Sequence, residues 1–150
     1  MSEFRIEKVQ HQLKITLANG ERLSGMVFLE PIARHHTGQQ DPRELLNDAD
    51  GFFPFAVGGH LLLIAKDQVK FATYAGNAVP PMIEPPTVGV RVSLADGTVV
   101  DGAVEIEGRS DAHRLLDYLN GIEDRFLSMT VDRTTHWLVN RRLIAGVQQR

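Results

Sequence analysis

Apolar and polar residues alternate along two stretches of this chain. The alternating apolar positions are Leu13, Ile15 and Leu17 in the first stretch and Val90, Val92 and Leu94 in the second. A period of two is that of a β-strand with one buried face. Asn-Gly follows the first stretch and Asp-Gly the second, and these residues tolerate the positive φ of a type I′ turn. We therefore predict two β-hairpins with type I′ turns.

The two hairpins belong to an internal repeat. Residues 14–30 align with residues 91–107 without a gap, and each segment carries two glycines at the same spacing, namely Gly20 and Gly25 in the first and Gly97 and Gly102 in the second. The pattern predicts a duplication that covers about residues 13–72 and 90–147. Because Gly25 and Gly102 fall inside the second strand of each hairpin, they predict a bulge, a bend or a close backbone approach.

A short helix is predicted after each hairpin. In copy one, Asp41 is a cap residue, Pro42 suits the first helical position, and Glu44 stands three residues after the cap. In copy two the helix is expected over residues 112–120, with Gly121 as its stop signal. The residues predicted for the core are Leu45, Leu46, Leu115, Leu116, Leu119 and Trp137.

Each copy is predicted to end in a strand, a tight turn and a strand, because two apolar runs flank a polar step within residues 61–69 and within residues 136–144. The segment between the copies contains four prolines, which fix φ and lack a backbone donor, and this favours a semi-extended linker. The predicted organisation is copy one at residues 1–74, a Pro-rich linker at residues 75–87 and copy two at residues 88–150.

The repeated motif Leu-x-Asn/Asp-Gly-x-x-Leu/Val-x-Gly-x-Val, closed by a strand pair, resembles the Sm-like small barrel over about half of each copy. The chain is also similar to uncharacterised bacterial tandem-repeat proteins that read Asp-Tyr-Leu-Asn, as at residues 117–120, and Val-Asn-Arg, as at residues 139–141. The resemblance implies a mainly β (α+β) fold of two pseudo-symmetric Sm-like barrels. Each barrel would consist of a bent β-hairpin, a short helix and a terminal strand pair.

RNA binding does not follow from this resemblance. A helix is expected where Sm proteins carry the Asp and Asn of their RNA-binding loop. Arg141 and Arg142 lie near the position of the other loop, but the glycine of that loop is missing.

Composition places the chain among ordinary globular proteins, with 43% apolar and 23% charged residues in a length of 150. The net charge of −3 gives no overall attraction to phosphate backbones or to anionic lipid. The chain has no cysteine, its first residues are charged, and no apolar run is as long as a membrane span. We therefore predict a soluble, cytoplasmic protein with neither a membrane nor DNA as its partner.

Catalytic patterns are absent from the sequence, which has no Gly-rich phosphate loop and no nucleophile elbow. We therefore predict that the protein is not an enzyme and uses no cofactor. His35 and His36, near Asp41, could hold zinc or nickel together with His60. Solvated loop side chains are the simpler interpretation of these histidines, and no metal site is assigned.

The functional prediction comes from differences between the copies, since Met26, Phe28 and Phe52 of copy one align with Ala103, Glu105 and Arg125 of copy two. The second strand of copy one is thus apolar on both faces and needs a cover. We predict that Met26, Phe28 and Phe52 contact the other copy, another subunit or a separate protein.

The main hypothesis is a non-catalytic protein-interaction or scaffold module. One alternative is an RNA- or anion-binding protein that uses Arg133, Arg141 and Arg142 at the basic end of copy two. The other alternative is a small-ligand or metal-dependent enzyme with its site between the copies.

Overall fold

A computed structural model describes residues 8–32, 38–76, 87–106, 112–132 and 134–150. The chain divides into two compact units, Met1–Tyr74 (unit 1) and Ala75–Arg150 (unit 2). Antiparallel strands dominate both units, which confirms the prediction of a mainly β fold with short helices. Most of the predicted linker, residues 77–86, lies outside the described residues.

Unit 1 contains five strands and one helix. In chain order its elements are β1 (Val9–Leu17), β2 (Arg22–Leu29), α1 (Pro42–Asn47), β3 (Phe52–Val57), β4 (His60–Ala65), a first 3-10 turn (Lys66–Gln68) and β5 (Val69–Ala75). The strands lie in the order β5-β1-β2-β3-β4, and each pair of neighbours is antiparallel.

Unit 2 repeats this succession of elements. They are β6 (Thr87–Leu94), β7 (Val99–Glu105), α2 (Ala112–Gly121), β8 (Phe126–Thr130), β9 (Thr135–Asn140), a second 3-10 turn (Arg141–Leu143) and β10 (Ile144–Gln149). The strand order is β10-β6-β7-β8-β9, which is the order of unit 1 when strands are counted within each unit. The predicted strand–turn–strand ending is confirmed in both units.

The turns of the opening hairpins are not of type I′. In unit 1 the Gly20 N–H donates to the Leu17 oxygen at 2.9 Å, and the Leu17 N–H donates to the Glu21 oxygen at 2.8 Å. Only the glycine has a positive φ, +91° at Gly20 and +92° at Gly97, whereas Asn19 does not. This is a type I turn followed by a left-handed glycine. The turn type predicted from Asn-Gly is therefore wrong, although the glycine is needed.

The close backbone approach predicted at the strand glycines is confirmed. A Cβ atom on Gly25 of β2 would collide with the backbone oxygen of Ala56 on β3. A Cβ atom on Gly102 of β7 would lie 2.7 Å from the backbone oxygen of Thr130 on β8. In both units, therefore, the backbone of the third strand approaches the second strand at a position where only glycine fits without movement of the backbone.

Helix α1 begins with the predicted capping box. The Glu44 N–H donates to the Asp41 carboxylate at 2.8 Å, and the Asp41 N–H donates to the Glu44 carboxylate at 3.3 Å. Pro42 occupies the first turn. These two bonds satisfy donors that a helix start leaves without partners.

The predicted helix core is only partly confirmed. Leu46 of α1 and Leu115 of α2 are buried, whereas Leu45, Leu119 and Trp137 are half-buried. Leu116 is exposed, so its assignment to the core is wrong. The reason is periodicity, because Leu115 and Leu119 are four residues apart on one helix face and Leu116 falls outside it.

One predicted equivalence between the units is wrong by one residue. Phe52 pairs with Ala65, the last residue before the first 3-10 turn. Phe126 pairs with Asn140, the last residue before the second 3-10 turn. Phe52 therefore corresponds to Phe126 and not to Arg125, and each is the first residue of the third strand of its unit.

We expect Gly25→Ala and Gly102→Ala each to lower the free energy of unfolding by about 1–3 kcal/mol, the usual range for overpacking. The added methyl group meets a backbone oxygen, which cannot rotate away as a side chain can. Urea denaturation followed by circular dichroism measures the loss. Gly89→Ala in β6 is the matched control, because its Cβ would lie 3.9 Å from its nearest neighbours. A loss in Gly89→Ala as large as in the other two variants would contradict the close approach.

Candidate functional site

The outward side of β2, β3 and β4 in unit 1 carries a patch of apolar side chains. Met26 pairs with Ala56, and Ala56 pairs with Leu61, so one apolar row crosses all three strands. Pro54 pairs with Leu63 in the next row of the same side. We call this surface the apolar face and define it by Met26, Phe28, Phe52, Pro54, Leu61 and Leu63.

Most of the apolar face is open to solvent. The exposed fraction is 38% for Met26, 63% for Phe52, 62% for Leu61 and 70% for Leu63, and Phe28 is half-buried. Single exposed apolar residues are ordinary on protein surfaces, but a contiguous group of this kind marks an interaction surface or an aggregation hazard. The structure therefore places the three predicted contact residues, Met26, Phe28 and Phe52, on one surface.

Sequence reasoning missed Leu61 and Leu63. Both belong to a run of five apolar residues, 61–65, in which the alternate positions, Leu62 and Ile64, face the core. A run that is apolar at every position indicates that both faces of a strand are covered. The run therefore favours burial of both faces, whereas the structure leaves the face of Leu61 and Leu63 open to solvent.

Strand β4 is also an edge. It lies at the end of the strand order of unit 1 and, within the described residues, pairs only with β3. Edge strands expose unpaired N–H and C=O groups and are commonly protected by a charged residue or a proline. His60–Ala65 contains no Lys, Arg, Asp, Glu or Pro. The apolar face and an unprotected strand edge are therefore adjacent.

The corresponding surface of unit 2 is different. Phe126 occupies the strand position of Phe52 but is only 1% exposed, against 63% for Phe52. On β7, Ala103 and Glu105 stand where β2 has Met26 and Phe28, and Glu105 is exposed. The open apolar face is thus a property of unit 1.

A buried cation that the sequence analysis did not single out lies behind β4. Lys66 is fully buried, and its Nζ donates to the Leu45 oxygen at 2.8 Å and pairs with the Asp48 carboxylate at 2.5 Å. The last carbonyl groups of a helix lack partners within the helix, so the ammonium satisfies one of them. The sequence signal was a basic residue between the terminal apolar runs in both copies.

Two of the residues predicted for anion or RNA contact, Arg141 and Arg142, lie in the second 3-10 turn of unit 2. A guanidinium N–H of Arg141 donates to the Ile122 oxygen directly after α2, which resembles the role of Lys66 in unit 1. Arg142 is exposed, and its backbone N–H donates to the Asn140 side chain at 3.1 Å. Arg133 lies outside the described residues.

The structure does not test the possible metal site of the histidines, because His35 and His36 lie outside the described residues. Among the residues that are described, no group of three His, Cys, Asp or Glu side chains could hold a metal ion. Asp41 accepts the helix-capping bond, and His60 is exposed at the start of β4. No helix in the described part of the chain is long and apolar enough to cross a membrane.

Among the described residues, three carboxyl or hydroxyl groups have shifted pKa values, and none of them belongs to the residues that define the apolar face. Burial, aided by the Asp41 carboxylate, raises the pKa of the Tyr74 hydroxyl. The hydrogen bond from Arg91 lowers the pKa of the Asp101 carboxyl. Hydrogen bonds from Thr134 and then Thr135 lower the pKa of the Asp132 carboxyl. Each shift has a structural cause.

Comparisons with protein-family models, curated proteins and solved structures found no match to the chain. No residue role is therefore transferred from a relative. The function is inferred from the described geometry, in which the apolar face and the β4 edge are the most distinctive surface.

We expect Asp48→Ala to lower the free energy of unfolding by about 1–3 kcal/mol, because the Lys66 ammonium stays buried without its counter-charge. Thermal melting followed by circular dichroism measures the loss. Asp50→Ala is the control, since Asp50 is exposed and lies two residues away. Equal melting temperatures for the two variants would show that the ion pair does not support the fold.

Proposed function

We propose that this protein is a non-catalytic interaction module that self-associates through the apolar face and the β4 edge of unit 1. The proposal rests on one observation, which is that the apolar face and the open edge of β4 are adjacent at the β3–β4 hairpin. Removing the exposed apolar area from water favours association, and the open edge offers main-chain hydrogen bonds in a fixed direction. Strand β4 can therefore supply both the apolar contact that gives affinity and the main-chain hydrogen bonds that set the register of the partner strand.

A second copy of the chain is the partner that fits this surface best. The apolar face contains no charged side chain, so two copies can meet there without like-charge repulsion. An antiparallel strand edge can pair with its own copy about a twofold axis, and twofold dimers are the commonest homo-oligomers. In this arrangement His60–Ala65 of each copy extends the sheet of the other, and Leu61 and Leu63 lie beside the contact.

We also propose that each unit is an Sm-like small barrel and that the two units arose by duplication. Four features support this: the common succession of elements, the common strand order, the glycine at the close approach of the third strand and the cation that binds the helix end. The cysteine-free composition favours the cytosol as the compartment.

The RNA- or anion-binding alternative is less supported for RNA. The net charge of the chain is −3 and gives no overall attraction to a phosphate backbone. Retention of the protein on single-stranded RNA at low salt would favour this alternative over self-association.

We expect Leu63→Glu to weaken self-association by at least about tenfold, because a carboxylate at a closed interface must be dehydrated without a partner. Size-exclusion chromatography with light scattering measures the mass over a range of concentrations, starting from a monomer of 16.7 kDa. Leu63 is exposed, so the melting temperature of the dilute monomer should not fall.

Leu116→Glu is the matched control, because Leu116 is exposed to a similar degree but lies on α2 of unit 2. It should leave the concentration dependence of the mass unchanged. A wild-type protein that stays monomeric at every concentration, or a Leu63→Glu variant that associates as the wild type does, would contradict the proposal.

A further inference from the structure

Unit 2 contains an apolar pocket of about 160 Å³ that the proposed self-association does not use. Its lining residues are Leu119, Ile122, Leu127, Arg141, Ile144 and Val147. They come from the end of α2, from β8, from the second 3-10 turn and from β10. A cavity of about 150 Å³ with aliphatic and aromatic walls holds benzene, so this pocket has the size for one ring or one branched alkyl group.

The pocket is open to solvent. Its floor, Leu127, is 1% exposed, whereas the residues around it are half-buried, namely Leu119, Ile122, Ile144 and Val147. Four partly exposed aliphatic side chains thus surround one concave surface. Ligand sites commonly combine such a lining with a small number of polar groups that fix orientation.

Arg141 is the only charged residue in the lining of this pocket. One of its N–H groups donates to the Ile122 oxygen, which holds the side chain against the end of α2. A guanidinium carries five N–H donors, and its geometry matches a carboxylate. The pocket therefore combines an apolar volume with a cation held at its wall.

Unit 1 has no such opening at the corresponding positions. Leu46, Phe53, Lys66, Val69 and Ala72 correspond to five of the lining residues, and none of them is more than 1% exposed. Phe53 stands where unit 2 has Leu127, so a larger side chain fills the interior. Because unit 1 forms the same succession of strands around a filled interior, an open pocket is not a requirement of the architecture.

We propose that this pocket binds an apolar carboxylate, with a ring or a branched alkyl group inside the aliphatic walls and the carboxylate on Arg141. The ligand is either a small free acid or the apolar C-terminal residue of a peptide, since both present the same chemistry. The site lies wholly within unit 2 and does not depend on self-association through unit 1.

The first test uses the wild-type protein and compares acids with their amides. Methyl NMR spectra are recorded during titration with 3-phenylpropionate, with 3-phenylpropanamide, and with short peptides that end in Phe as the acid or as the amide. We expect saturable shifts of the Leu119, Ile122 and Ile144 methyl groups. Each acid should bind at least about tenfold tighter than its amide, the effect of losing one charge-assisted hydrogen bond.

The two pairs of probes distinguish a free acid from a peptide C-terminus as the ligand. Saturation by 3-phenylpropionate alone identifies a free acid, and saturation by the peptide acid at lower concentration identifies a C-terminus. Equal affinity for acids and amides, or no saturable shift with any probe, overturns the proposal.

Two variants then locate the binding. Leu127→Phe introduces the residue that unit 1 has at this position and should abolish the saturable shifts. Arg141→Gln should reduce the affinity for the acid to that for the amide. Leu116→Ala is the control on α2 and should bind as the wild type does. Unchanged binding in a folded Leu127→Phe protein overturns the proposed site.

The Leu63→Glu variant should bind the acids as the wild type does, whether or not the protein self-associates through unit 1.

Discussion

A cation at the first position of each 3-10 turn holds the terminal strand pair of its unit to the end of the helix. Lys66 binds the Leu45 oxygen and Asp48, and Arg141 binds the Ile122 oxygen. The end of a helix has carbonyl groups without partners and a partial negative charge, and a cation satisfies both. Since each turn lies between the fourth and fifth strands, this contact fixes the helix against the strands that close the unit.

The same contact has different consequences in the two units. Asp48 follows the last residue of α1, so the buried ammonium of Lys66 has a counter-charge and the interior of unit 1 can close over it. A buried cation without such a partner would be costly. The residue that follows α2 is Ile122, which has no charge, and the guanidinium of Arg141 remains exposed. The pocket in unit 2 therefore lies beside the cation that solvent still reaches.

The local parts of this fold were predictable, because alternation, turn residues and helix caps act within a few positions of the chain. The errors arose where contacts between distant segments of the chain determine the local structure. The pair Asn19 and Gly20 suits two turn types, and the ladder bond that closes the loop selects between them. The residue of unit 2 that corresponds to Phe52 is determined by the register of the strand pairs, which a sequence alignment cannot detect. Leu61 and Leu63 belong to a run that reads as buried on both faces, so their exposure was visible only once the neighbouring strands were placed.

The two units differ at positions that their common framework does not constrain. Gly25 and Gly102 both face a backbone oxygen of the neighbouring third strand, so their identity is set by backbone contact. Phe52 and Phe126 share a strand position, yet one is exposed and the other is buried. The shared strand pairing therefore does not by itself require an aromatic ring to face water at that position. An exposed ring beside two exposed leucines loses favourable burial free energy unless another surface covers it, and this cost is the physical reason to expect a partner at the apolar face.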